Sequence, residues 1–332
     1  MADGILGAEF SEQVLQFVYL VAGIMFIQGL RDMTHPRTAT RGNAISSGAM
    51  FLAVVVTILW FEILDPAVLG AGLLVGGAVG AYLAVSVETT EMPQLVGVFN
   101  GFGGGASAVV AGAELVDVLA SDGASALSPD LTATAVIAGI IGSVTLFGSL
   151  VAAGKLHGLV GDFPLSTNAG HGAKLVTLGA ALLAGGYLVA QPDLLGSVPA
   201  ADWVPSYWVL VAAASLLGIF LVWPIGGADM PVVIALLNAY SGLAAATTGF
   251  VLDNSVLIIA GTLVGASGLI LTVIMCESMN RSLANVFFGG IGEASESGEE
   301  MEDIYEGNIT TTSPEEVEMT LDVADRVVIV PG

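Results

Sequence analysis

A chain of 332 residues that is 55% hydrophobic and 11% charged, with a mean hydropathy of +0.87, is not an ordinary soluble enzyme and is not disordered over most of its length. Its net charge of −23, from 30 acidic against 7 basic residues, leaves no basic face for nucleic acid and excludes that partner. Cys276 is the one cysteine, so an internal disulfide and a cysteine-based zinc site are both excluded, and no metal site is expected.

Crossing a hydrocarbon core takes about 20 apolar residues. Nine such stretches are predicted, at 12–30, 44–63, 66–86, 92–113, 131–153, 173–190, 207–224, 230–251 and 255–277. The expected fold is therefore all-α, a polytopic bundle of about nine transmembrane helices. Residues 1–11 are acidic and lack a basic n-region, so they read as a short tail and not as a cleaved signal peptide. Very short turns, such as Leu64-Asp65-Pro66 and Leu252-Asp253-Asn254, point to antiparallel neighbours in a compact bundle.

The loop charges set the expected topology. Arg31, Arg37 and Arg41 lie after the first span, Lys155 and Lys174 flank the loop after the fifth, and Arg281 follows the ninth. All fall on one side. The other side carries Glu62, Asp65, Glu114, Asp117, Asp122, Asp130, Asp193, Asp202 and Asp253 without a basic residue. The positive-inside rule then puts the N-terminus outside and the C-terminus in the cytoplasm of a cell membrane. Trp203, Tyr207 and Trp208 fall where an interfacial aromatic belt is expected. His35, His157 and His171 read as loop residues, and no ionisable residue lies near the middle of a span. A path for ions would need neutral polar groups, water, or a residue lent by a partner.

Beyond the spans, residues 279–320 read as a solvated acidic cytoplasmic linker, holding ten of the twelve acids that run from Glu293 to Asp325. Residues 321–332 follow as the stub of a further domain, in which Arg326-Val-Val-Ile-Val-Pro-Gly332 reads as a short strand. A strand does not stand alone, so its partners are expected elsewhere.

Two segments repeat. Glu91-Met-Pro-Gln-Leu-Val-Gly-Val-Phe-Asn100-Gly-Phe-Gly-Gly104 matches Asp229-Met-Pro-Val-Val-Ile-Ala-Leu-Leu-Asn238-Ala-Tyr-Ser-Gly242. Both open a span from the same side, as a parallel repeat does. Acid-x-Pro reads as a helix start capped by the carboxylate. Nine residues at 1.5 Å each put Asn100 and Asn238 about 13 Å deep, near the middle of a core roughly 30 Å thick. Each asparagine is then either interhelical glue or part of a polar path. Gly97, Gly101 and Gly105, and likewise Gly72, Gly76 and Gly80, form stripes that let helix backbones approach. Ser143, Thr145, Ser149, Ser267 and Thr272 either bond their own backbone or line a wet path.

These residues carry a resemblance. Gly226-Gly-Ala-Asp-Met-Pro-Val-Val233 with Leu237-Asn-Ala-Tyr-Ser-Gly242, Thr90-Glu-Met-Pro-Gln-Leu-Val96, Gly148-Ser149 with Gly154-Lys155-Leu156, and Ile274-Met-Cys-Glu-Ser-Met-Asn-Arg-Ser282 resemble the membrane domain of the beta subunit of proton-translocating NAD(P) transhydrogenases, over about residues 12–290. The resemblance implies an enzyme subunit that couples hydride transfer between NAD(H) and NADP(H) to proton passage. It implies that 12–278 is the proton-conducting domain. NAD(H) would be bound by an alpha subunit and NADP(H) by a Rossmann domain after the membrane part, so this chain would hold no nucleotide. The whole unit is expected to pair as a dimer.

Many members of that family carry a proton-pathway His where this chain has Asn100. Here the pattern resembles members with a split alpha part, in which a small membrane subunit supplies the His. On that basis Asn100, Asn238, Ser149, Ser267 and Thr272 are the expected proton pathway. Asp229 and Glu91 are expected to couple to the NADP(H)-binding domain, with Arg281 anchoring the hinge into the linker. The rival classes are a secondary transporter or channel subunit, for which midplane amides in a parallel repeat are also suited, and a scaffold that only anchors soluble dehydrogenase domains.

Overall fold

The computed structural model describes residues 8–61, 66–121, 127–161, 163–164, 167–190, 200–280, 282–283, 317, 319 and 321–322. Nine long helices run through them: α1 (Ala8–Met33), α2 (Ala39–Phe61), α3 (Pro66–Ser86), α4 (Met92–Ser121), α5 (Pro129–Leu156), α6 (Thr167–Val189), α7 (Ala200–Val222), α8 (Met230–Val251) and α9 (Ser255–Ser278). All nine are long and apolar enough to span a membrane, and no strand occurs among the described residues. The chain is a multi-pass membrane protein.

Helix ends follow local chemistry. Ser128 caps α5, its Oγ accepting from the Leu131 amide at 3.2 Å, with Pro129 in the first turn, where a missing N–H costs nothing. The tight turn between α8 and α9 holds Asp253 at φ +49°, and Asn254 then caps α9 through the Leu257 amide at 3.1 Å. The same Asn254 donates to the Tyr19 hydroxyl at 3.4 Å, and Tyr19 pairs with Thr57 at 2.7 Å. That polar chain ties the α1–α2 hairpin to α9.

Two helices form the centre. α5 packs on α4, α6, α7 and α8, and α8 packs on α4, α5 and α9. The close approaches run through glycine. A Cβ at Gly142 of α5 would fall on the Gly104 carbonyl of α4, and one at Gly104 would lie 2.7 Å from the Gly142 carbonyl. Gly242 of α8 meets Gly261 and Gly265 of α9 in the same backbone-to-backbone way. Without side chains in between, dispersion contacts act over the shortest distance, the packing force available in a bilayer.

The two predicted glycine stripes part company here. Gly97, Gly101 and Gly105 face α5, with a Cβ at Gly101 lying 3.2 Å from both Leu146 O and Ser149 Cβ. Gly72, Gly76 and Gly80 of α3 have nothing within 4 Å, and α3 makes no extensive pairing with another described helix. Spacing alone does not say whether a neighbour is present.

Three other expectations are corrected. α6 begins at Thr167, about two turns before the predicted start, so His171 is helical and not a loop residue, and Lys174 lies two turns in. Lys174 is 8% exposed, the one charged side chain among the buried described residues. α7 begins at Ala200, and Tyr207 faces the bundle and not the lipid of an aromatic belt. Tyr207 is buried against Gly112 and Gly139, and its hydroxyl donates to Ala108 O at 2.6 Å. The gap left by two glycines accepts the ring, and the buried hydroxyl is satisfied.

The chain divides into two compact units, Met1–Phe288 and Gly289–Gly332. In the second, the described Val317, Met319, Leu321 and Asp322 are helical and exposed. Arg281, most of the acidic segment and the strand read at 326–332 lie outside the described residues.

Candidate proton pathway

The repeat has matching backbones. A 3-10 turn, Thr89–Glu91, leads into α4 at Met92, and a second, Gly227–Asp229, leads into α8 at Met230. Asn100 and Asn238 are each the ninth residue of their helix. The acids do not cap these helices as the pattern predicts. Glu91 Oε2 accepts from the amide of Glu88 behind it, at 3.3 Å. Asp229 stands at φ −90°, ψ −3°, and its side chain makes no capping bond to α8. A capping side chain needs an extended backbone, and Asp229 is already turning.

The two asparagines meet through one helix turn. Asn100 is 7% exposed, and its Nδ2 donates to the Ile234 carbonyl at 3.3 Å. Ile234 lies four residues before Asn238, so its carbonyl is also the acceptor for the Asn238 amide in the α-helical pattern. Asn238 is half-buried, and its own carbonyl accepts from Ser241 Oγ at 2.8 Å. α4 and α9 both pack on α8 without packing extensively on each other. Further along, Thr248 Oγ1 donates to Ser107 O at 3.4 Å, again joining α8 to α4.

The hydroxyls are distributed unevenly. Ser149 of α5 is fully buried beside Gly101 and Ser143 is 1% exposed; neither Oγ has a hydrogen-bond partner. Thr145 is buried between them and donates to Ile141 O at 2.6 Å. Thr272 is buried in α9, donating to Gly268 O at 2.7 Å. Ser267 is exposed on α9 and donates to Val264 O at 3.1 Å. The junction of α4, α5 and α8 thus brings together Asn100, Ser149 and the turn bearing Asn238. Thr272 lies toward α9, and Ser267 stands outside the bundle.

One contact was not foreseen. Lys155 Nζ donates to Ile225 O at 2.8 Å, linking the end of α5 to the connection that carries Asp229. The Gly154-Lys155-Leu156 motif was the available signal, but its target lies 70 residues away. Behind Asp229, Met230, Val233, Ile225 and Cys276 form a closed apolar cluster that supports this end of α8. Among the described residues no three His, Cys, Asp or Glu side chains form a metal-binding group, and no strand opens onto a dinucleotide-binding turn.

The family model of the NAD(P) transhydrogenase beta subunit matches residues 15–332. Two curated relatives, both described as NAD(P) transhydrogenase subunit beta and both from Rhodospirillum rubrum, are each 38% identical over 318 residues. The match covers 95% of this chain and 66% of each relative, so the chain spans a little under two thirds of their length.

Proposed function

Because the chain belongs to the NAD(P) transhydrogenase beta-subunit family, we propose that it is the membrane part of a proton-translocating enzyme that couples hydride transfer between NAD(H) and NADP(H) to proton passage. The observation that carries this reading is the junction of α4, α5 and α8, where Asn100 holds the turn of Asn238 beside the unpartnered Ser149 hydroxyl. A neutral path needs groups that both donate and accept, and an uncommitted serine hydroxyl does so.

The titrating group comes from a partner. Histidine suits proton traffic near neutral pH, and a small membrane subunit of the alpha part supplies it, facing Asn100 and Asn238. The half-buried amide of Asn238 orients the proton or a water that carries it. Thr272 packs the far side of α8, and Ser267 meets a neighbouring chain or lipid. Both nucleotides are bound by domains outside this chain, NAD(H) on the alpha subunit and NADP(H) on a domain beyond the membrane part. The whole unit works as a dimer, with the N-terminus outside and the basic ends of the helices in the cytoplasm.

Coupling runs along α8. Protonation at the Asn238 turn biases the helix between two positions, and eight residues of rigid helix carry the bias to Asp229. Lys155 holds the Ile225 carbonyl and so sets the resting position of that connection. Asp229, Glu91 and Arg281 meet the NADP(H)-binding domain and shift it between open and closed states, a coupling between two sites.

The test is to purify the complex through this chain, reconstitute it in vesicles, and measure NADPH-to-NAD hydride transfer together with proton uptake. Hydride transfer with proton movement is expected. Proton or solute transport without any nucleotide would overturn the reading in favour of a transporter.

A further inference from the structure

α3, α4 and α5 enclose an open-sided cavity of about 360 Å³. Leu83 and Val87 of α3, Leu95 and Val98 of α4 and Leu150 of α5 line it. Glu91, directly before α4, and His157, at the C-terminal cap of α5, line it as well. Val98 and Leu150 lie about 10 Å further along their helices at 1.5 Å per residue. The cavity is therefore polar at the helix ends and apolar in depth. Its size falls in the range of small-molecule sites, which are mostly apolar with a few placed polar groups.

The depth of the cavity is bilayer depth. The deep lining residues all belong to candidate spans. The α3 wall has no buried described side chain, and no described helix packs extensively on that side. Hydrocarbon is the medium there, and a polar end beside Glu91 and the exposed His157 matches a molecule with a head and a tail. We propose that this cavity is a phospholipid site. One chain lies along Leu83, Leu95 and Leu150, and the headgroup lies at the helix ends, its phosphate toward His157. The lipid would supply α3 with packing that the described residues do not. The proposal is independent of any hydride-transfer reading.

The test uses the complex purified in mild detergent and washed to strip loosely held lipid. Native mass spectrometry is then expected to find a phospholipid still bound to this chain. Leu159, which also lines the cavity, is 80% exposed, so Leu159→Trp adds bulk at the site without disturbing the core. It should lower retention about tenfold, the loss from roughly two methylenes displaced from apolar contact. Ala153→Phe, filling the cavity from α5, should do the same. A second readout is Val87→Trp, whose fluorescence should be quenched by brominated phospholipid after washing. An unaltered chain without retained lipid would overturn the proposal. So would equal retention in Leu159→Trp, or a Val87→Cys cross-link to a partner polypeptide in place of lipid quenching.

Discussion

The side-chain amide of Asn100 in α4 donates to the carbonyl of Ile234 in α8 at 3.3 Å, in the turn that presents Asn238. One copy of the repeat therefore grips the other. The grip is not reciprocal in burial, since Asn100 is almost enclosed and Asn238 is half-buried. Two residues alike in sequence therefore differ in structure: Asn100 is enclosed and bonded across helices, and Asn238 keeps a partly exposed face.

That asymmetry predicts unequal substitutions. Asn100→Ala should lower unfolding stability in detergent by about 1 kcal/mol, the size of an interhelical polar contact in a membrane protein. Asn238→Ala should lower it by less. Both should reduce proton uptake by reconstituted vesicles. Equal stability losses would mean that burial does not separate the two roles.

Ser149 offers the opposite combination. Its hydroxyl has no partner to lose, so Ser149→Ala should change stability by less than about 1 kcal/mol. Proton uptake should fall while the protein remains folded. Thermal unfolding and uptake on the same preparation check both halves, and unchanged uptake would remove Ser149 from the path.

Glycine substitutions should divide by location. Gly142→Ala drives a methyl into the Gly104 carbonyl and should cost about 1–3 kcal/mol or more, as overpacking does. Gly76→Ala meets nothing within 4 Å and should stabilise the isolated chain by up to about 1 kcal/mol through helix propensity. Parallel unfolding curves in detergent would show the two shifts with opposite signs.

Lys155→Met removes the donor to Ile225 O. The expected result is hydride transfer less tightly tied to proton uptake, with partial rescue by Lys155→Arg, which keeps a charged donor. The ratio of protons taken up to hydride transferred is the measurement. A ratio unchanged in Lys155→Met would make the contact purely structural.

Much of this architecture was legible in the amino-acid order. Nine apolar stretches became nine helices because a run of about 20 apolar residues in a bilayer must satisfy its backbone internally. The matched motifs became matched backbones, each a 3-10 turn followed by a helix with asparagine ninth, because local turn chemistry and Pro act within a few residues. Helix ends slipped at α4, α6 and α7, where apolar content fades before the hydrogen-bonding pattern does.

Which helix meets which was not legible. The stripes at Gly97 and at Gly72 have the same spacing, yet one holds α5 and the other faces open space. Ser149 and Ser267 are both serines in apolar helices, yet one is enclosed beside Gly101 and the other is exposed. Lys155 bonds a carbonyl 70 residues away and Asn100 one 134 residues away. Spans and their internal register follow from short-range rules that each segment carries within itself. Neighbours, burial and cross-helix bonds come from fitting whole helices against one another, and no single helix contains that information.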